Sequence, residues 1–350
     1  MSITITDIVG ILIIYQSIAF LGSILFIKIT KPVFLKVLIA ICLLIILHFS
    51  YLFYEKYSIT PYIMLGPFFG FLYGPIYYLY TKSLIVKSLS IKKVFIQFVP
   101  AIISFFCLIF FRREIKGFVD IATILVILHF ITYLLIALRI IYRYRRLLKN
   151  TTSSFYNISL RWMEYIIYLQ FITIVVVFFH SKFHSAFVTN SLIFVIYLLV
   201  LILINCFYYL GLKQVRLFKG FAEEDERKVE QNEYQIPDEI FNSYINKLSR
   251  YMEEEKPYLE FDLSLQDLSN RLSISKRNLS HIINKKYNRN FFDYINNFRI
   301  EMVKQDILST EKSIKEIMYN CGYSNKTTFH SIFKKYTGLT PNQFRSMGKK

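Results

Sequence analysis

The sequence predicts an all-α protein in two unlike parts. An N-terminal seven-helix transmembrane bundle comes first, and a C-terminal domain with two helix–turn–helix units follows. Three observations carry that prediction. Up to about residue 213, apolar residues form seven runs long enough to cross a bilayer. After residue 237 the long runs stop, and apolar residues recur at intervals of three and four, which marks one face of each of several short helices. The chain as a whole is 54% hydrophobic with a mean hydropathy of +0.40, more apolar than a soluble chain of 350 residues needs to fill its core.

The seven runs lie near 8–27, 34–54, 64–84, 94–111, 118–138, 163–180 and 190–212. The first has no basic stretch before it and no small-x-small cleavage site after it, so it reads as a retained span rather than a secretory signal. Cations fall on alternate connections. One set holds Lys28, Lys31 and Lys36, then Lys82, Lys87, Lys92 and Lys93, then Arg139, Arg143, Arg145, Arg146, Lys149 and Arg161. The other holds Lys56, then Arg112, Arg113 and Lys116, then Lys182. The richer set belongs on the cytoplasmic side, which puts the N-terminus outside and, after an odd number of spans, the C-terminus inside.

Polar residues within the runs are few: Gln16, His48, Gln97, His129, Gln170 and Asn205. Such residues bond a neighbouring helix or line a ligand pocket. Carboxylates appear only near the segment ends, which argues against ion-coupled transport. Gly66-Pro67 and Gly74-Pro75 are expected to break the third run. Cys42, Cys107, Cys206 and Cys321 have neither metal-ligand nor disulfide spacing and read as small buried hydrophobes; no metal or cofactor is expected.

Residues 214–237 change character. Glu223 to Glu226 form an acidic run, and the segment reads as a solvated cytoplasmic linker. A helix is expected from Pro237 through Phe241, Tyr244, Ile245 and Leu248 to Met252, with Asp238 and Glu239 favourable in its first turn. Two roles are open to it: packing on the domain that follows, or joining two copies in a homodimer.

The tandem units occupy Ser264 to Arg345. The first has Leu265, Leu268 and Leu272, a turn at Ser273–Ile274, and a second helix with Leu279, Ile282 and Ile283. The second has Ile314, Ile317 and Met318, a turn at Cys321–Gly322, and a second helix with Phe329, Ile332 and Phe333. Ser275 and Asn325 stand as caps of the two second helices, each followed at once by a cation. A linking helix over about 290–308 carries Phe291, Ile295, Phe298 and Met302 at helical spacing, with Arg299 beside that stripe. Residues 264–350 hold roughly ten more basic than acidic side chains, so much of the formal net charge of +18 sits here. A surplus of that size has two natural partners, nucleic-acid phosphates and an anionic lipid leaflet.

This last third resembles the DNA-binding domain of AraC-type transcription regulators. The resemblance is carried by Leu265-Gln-Asp-Leu-Ser269, Ser275-x-x-x-Leu279-Ser280, Phe298-Arg299-Ile300, Ile317 to Ser324, Phe329-x-x-x-Phe333-Lys334, and Gly338-x-Thr-Pro341-x-x-Phe344-Arg345. The chain departs from the pattern at Asn288, where the family has Gly, and at Ser269, Val303 and Met318, where it has Ala. Asn tolerates the left-handed conformation, so the turn at 288 is expected to survive.

Together with the apolar runs and the acidic linker, the resemblance implies a domain order of 1–213 transmembrane, 214–237 linker and 238–350 DNA-binding. It implies a regulator of a bacterial cytoplasmic membrane whose partners are double-stranded promoter DNA and the lipid bilayer, with a signal ligand or membrane partner that the sequence does not name. Carried onto this chain, the base-facing positions are Arg277, Ser280 and His281 on the first reader helix and Lys326, Thr327, His330 and Ser331 on the second. Arg277 is the residue best able to make a bidentate contact to guanine. Lys276, Lys285, Lys334 and Lys335 are the expected phosphate contacts. Arg299 either pins a helix end by charge-assisted bonds, the favoured reading, or reaches a phosphate. An enzyme is not expected, because the chain has no HExxH, no GxSxG, no paired intramembrane carboxylates and no phosphate loop. The rival reading is a receptor or transporter-like protein whose C-terminal domain binds a protein partner instead of DNA.

Overall fold

A computed structural model of the protein describes residues 3–24, 26, 32–58, 65–86, 89, 94–110, 115–153, 159–180, 186–217 and 236–348. Among these residues every regular element is helical, and the isolated bridge between Thr152 and Ser264 belongs to no strand. Helices α1 (Ile5–Ile24), α2 (Pro32–Tyr57), α3 (Gly66–Ile85), α4 (Val99–Phe110, entered through a 3-10 turn at Ile96–Phe98), α5 (Ile115–Thr151), α6 (Arg161–His180) and α7 (Ala186–Leu217) fall on the apolar runs. Then come α8 (Asp238–Glu254), a 3-10 turn at Pro257–Leu259, α9 (Leu265–Leu272), α10 (Lys276–Tyr287), α11 (Phe291–Ser309), α12 (Ile314–Asn320), α13 (Lys326–Thr337) and α14 (Pro341–Gly348). Lys28, Lys31, Lys87, Lys92, Lys93, Arg112, Arg113, Lys182 and most of the acidic linker lie outside the described residues.

The chain divides into two compact units. One comprises Met1–Tyr142 and Leu160–Lys228, the other Arg143–Ser159 and Val229–Lys350. The end of α5 and the segment after it therefore group with the C-terminal helices.

In the first unit α1 packs on α2 and α7, α3 on α2 and α4, and α6 on α7. Among the described residues five stretches, Ile5–Ile24, Val33–Tyr57, Ile121–Thr151, Arg161–Phe178 and Asn190–Val215, are long and apolar enough to cross a membrane. They keep large apolar side chains on their outer faces, among them Ile11, Leu47, Leu128, Ile172 and Ile202, each about half exposed. Helix α3 is less apolar, with four tyrosines and Lys82, because it lies inside: eleven of its twenty residues are buried, against six of twenty in α1.

Two expectations for this part need correction. Gly66-Pro67 does not break the third run but starts its helix, where proline's missing N–H costs nothing, and Pro75 sits within the same continuous helix. The run of cations from Arg139 to Lys149 is not a loop. Helix α5 continues through it to Thr151 because Ile141, Tyr144, Leu147 and Leu148 keep the helical spacing and are buried. At 37 residues α5 is about 55 Å long, well over the ~30 Å of a bilayer's hydrocarbon.

The polar residues of the apolar helices mostly bond across to a neighbour. Gln16 and Asn205 exchange two amide hydrogen bonds, 2.7 and 3.2 Å long, between α1 and α7. The Tyr133 hydroxyl donates to Gln97, and His48 Nδ1 lies 2.6 Å from the Tyr73 hydroxyl. Gly211 gives the helices a close approach: a Cβ there would stand 2.1 Å from the Tyr80 hydroxyl, which donates to the Phe207 carbonyl.

One core cluster of the second unit is built from α8 to α11. Leu248 and Met252 of α8 join Leu265, Leu268, Leu272, Leu279, Ile282, Ile283, Phe291 and Ile295, all buried, with Phe298 and Met302 packed against them. Of the two roles open to α8, the structure therefore shows packing on the domain.

Candidate nucleic-acid interface

Each helix of the tandem units is held at its start by a side chain the sequence places there. Ser264 and Asp267 form a reciprocal capping box on α9. The Ser275 hydroxyl accepts from the Asn278 N–H at 3.2 Å, and the Asn325 side-chain oxygen accepts from the Thr328 N–H at 3.0 Å, so both expected caps are present on α10 and α13. Ser313 caps α12 in the same way. The turns are equally specific. Ser273 has φ +51° between α9 and α10, and Asn288 closes α10 with φ +49°, the left-handed conformation expected where the family has glycine. Gly322, between α12 and α13, has φ +78°, and a Cβ there would meet the Leu259 carbonyl oxygen at 2.7 Å. Ser269, a departure from the family pattern, uses its hydroxyl to donate to the Ile274 carbonyl at 2.6 Å, which stitches the first turn.

The apolar faces of the second helices are sealed: Leu279, Ile282 and Ile283 on α10 and Phe329, Ile332 and Phe333 on α13 are each at most 1% exposed. The opposite faces carry the expected contact residues. Arg277, Lys326, Thr327 and Ser331 are exposed, as are Lys285, Lys334 and Lys335, while Lys276, Ser280, His281 and His330 are half-buried. On each helix the expected base-facing positions are paired at spacings of three and four, Arg277 with Ser280 and His281, Lys326 with His330 and Thr327 with Ser331, so each pair lies on one side of its helix.

Several of these side chains already have protein neighbours. The His281 ring meets Phe241 of α8 edge-on at 6.1 Å, and the Lys285 ammonium lies 5.1 Å from the centre of the same ring. Burial, and then the nearby Lys285 and Arg277 charges, push the His281 pKa down, which keeps the ring neutral at physiological pH. Lys335 pairs with Asp293 at 3.0 Å, and the Tyr336 hydroxyl donates to the backbone carbonyl and the carboxylate of that same residue. Asp293 also sits at the start of α11, where Asn290 caps the helix and bonds its carboxylate. Burial alone would raise its pKa, but the Lys335 ammonium and these donors hold it below the usual carboxylate range. This knot fastens the end of α13 to the start of the linking helix. The one sequence signal for it was the Asn290-x-x-Asp293 cap spacing.

Arg299 is 2% exposed and does not face solvent. Its Nε donates to the Tyr258 carbonyl and its Nη2 to the Glu260 carbonyl, both at 2.6 Å, and Nη2 also reaches the Ser153 hydroxyl at 3.3 Å. The guanidinium lies 5.4 Å from the Tyr323 ring centre. Of the two roles the sequence left to Arg299, the structure shows the pin. Its pKa falls to about 10 through burial, so it remains charged at neutral pH. Ser153 in turn donates its N–H and its hydroxyl to the Leu263 carbonyl, at 3.2 and 2.8 Å. Tyr323 adds a buried cross-tie, donating to Asn296 at 2.9 Å. The linking helix is thus tied by polar bonds to the segment around the 3-10 turn and to the second unit of the tandem pair, and by its apolar stripe to the first.

Residues 268–347 match a family model described as a helix-turn-helix domain. The C-terminal domain is an AraC-type helix–turn–helix domain. The AraC-type domain is 31% identical over 86 residues to an uncharacterized HTH-type transcriptional regulator of Bacillus subtilis, YtdP; that match covers 25% of this chain and 11% of the relative. It is 28% identical over 88 residues to the HTH-type transcriptional regulator ArgR of Pseudomonas aeruginosa, covering 25% of this chain and 27% of the relative. Among solved structures it is similar to the C-terminal domain of the two-component response regulator yesN from Fusobacterium nucleatum, at 31% identity, over 29% of this chain and 98% of that one, with a TM-score of 0.27. This chain spans only about a tenth of the length of the first curated relatives it matches.

Proposed function

We propose that this protein is a membrane-anchored, sequence-specific DNA-binding transcription regulator, in which residues 1–213 hold the AraC-type domain at the cytoplasmic face and pass a signal to it. The observation that carries the reading is the pair of capped helices, α10 and α13, presenting Arg277 and Ser280, and Lys326, Thr327 and Ser331, from one AraC-type domain. The exposed members supply base contacts, and Lys276 and Lys334 supply phosphate contacts. His281 and Lys285 act at the edge, since Phe241 shares their surface. Lys335 contributes chiefly through Asp293. With α11 rigid between them, the two reader helices address successive major-groove segments of one duplex.

The five long apolar helices with outward-facing Ile and Leu support membrane anchoring, because such faces would be costly in water. The segment Arg143–Ser159, which the charge rule assigns to the cytoplasmic side, groups with the AraC-type domain. That grouping supports a cytoplasmic location for the domain.

The test is a gel-shift with the full chain in detergent on fragments of the native genome, over a salt series. The expected result is a sequence-selective shift whose affinity falls steeply with salt. Capture of a protein partner with no selective shift on any fragment would overturn the reading in favour of the rival.

A further inference from the structure

The apolar unit holds a partly open cavity of about 380 Å³, within the range of roughly 300–1,000 Å³ common for small-molecule sites. Its wall comes from α2, α3, α5, α6 and α7 and is overwhelmingly aliphatic and aromatic. Five side chains that line it carry polar atoms, His48, Tyr73, Tyr77, Gln170 and Tyr197, with Thr173 bonded back to its own helix. His48 and Tyr73 satisfy each other. Tyr77 is different. It is 5% exposed, and its buried hydroxyl has no hydrogen-bond partner among the described residues. A phenol hydroxyl left unpaired in an apolar interior costs free energy that a bound acceptor or donor would recover. Gln170, 8% exposed, adds an amide able both to donate and to accept.

No Asp, Glu, Lys or Arg is among the lining residues. A carboxylate or ammonium entering this space would lose its hydration without gaining a counter-charge. We infer that the cavity is a binding site for a neutral amphiphile: a mostly apolar molecule carrying a single hydroxyl or carbonyl, which Tyr77 and Gln170 would engage. This deepens the sensing part of the proposed function. It rests on that reading for its consequence, while the site itself stands on the cavity and the unpaired hydroxyl.

The experiment uses the full chain in lipid nanodiscs and two probes, a diazirine-bearing dodecanol and the matching dodecanoate at pH 8, with labelled residues mapped by mass spectrometry. The dodecanol probe is expected to label the cavity wall saturably and to be displaced by plain dodecanol. The dodecanoate is expected to label the wall at least tenfold less. Tyr77→Phe, which keeps the ring and its packing, should raise half-saturation about five- to tenfold. Val200→Trp should abolish saturable labelling by filling the space, with helicity and monodispersity checked against the wild type. Non-saturable labelling spread over the outward faces would overturn the site, showing the space to be a lipid-facing groove. Equal labelling by both probes, or a Tyr77→Phe variant that binds dodecanol like the wild type, would overturn the assigned ligand class. Labelling does not depend on DNA. Loss of the site with intact sequence-selective DNA binding would therefore leave the regulator reading standing. Saturable labelling of a protein that binds no DNA would support the site and sink the regulator.

Discussion

Replacing Arg299 with methionine tests whether this residue is a structural pin. Methionine keeps an apolar stem of similar length and deletes the guanidinium. The structure gives two short bonds to lose, to the Tyr258 and Glu260 carbonyls at 2.6 Å each, and one longer bond to Ser153 at 3.3 Å. An orphaned buried carbonyl costs about 1–3 kcal/mol, and here the Tyr258 bond is buried and the Glu260 bond partly so, so the change should destabilise the domain by roughly 2–5 kcal/mol. That is a large share of a typical domain's ~5–15 kcal/mol but leaves most molecules folded. The assay is hydrogen exchange on the full chain. The Leu259 and Glu260 amides, which close the 3-10 turn beneath Arg299, should exchange at least ~30-fold faster, since every ~1.4 kcal/mol is a factor of ten. Ser153→Ala should have a smaller effect at the same amides. Exchange within ~3-fold of wild type, together with a salt slope of DNA binding reduced by about one, would refute the reasoning and make Arg299 a phosphate contact.

Three further outcomes follow from the proposed interface. Arg277→Ala should cost about 1–3 kcal/mol of binding and relax preference at one base position, measured by competition among single-base operator variants; equal weakening on all of them would reduce Arg277 to a phosphate contact. Lys334→Ala should weaken every sequence alike and lower the salt slope by about one, and an unchanged slope would remove it from the interface. Asp293 has a folded pKa below its unfolded value near 3.9, so its contribution is present above about pH 4 and lost as pH falls through the lower folded pKa. An acid-unfolding series should accordingly find wild type and Asp293→Asn converging at low pH and the variant weaker at pH 7; a constant gap across the series would contradict the Lys335 linkage.

Much of the AraC-type domain was legible because its determinants are local. A cap is read from one residue and its neighbour three positions on, and a turn from a residue that accepts positive φ. Ser275, Asn325 and Asn288 therefore behave as their sequence context implies. The polar ties were harder to read. Nothing near Arg299 in sequence reveals that its acceptors are carbonyls some 40 positions upstream, or that Ser153 lies 146 positions away. The Asp293–Lys335 pair spans 42 positions and looks in sequence like two unrelated surface charges. In sequence the cations near the end of α5 look like loop markers. The apolar period of Ile141, Tyr144, Leu147 and Leu148 runs on beneath them, and burial of that face decides the outcome.

That uninterrupted α5 has a mechanical consequence. It contributes Val126, Ile127 and Phe130 to the cavity wall, while its residues from Arg143 onward group with the DNA-reading helices. The end of the helix is a working part of the second unit: Ser153, two residues beyond it, bonds Arg299 and so ties to the linking helix, and a change that unwound the last turn of α5 would loosen that tie.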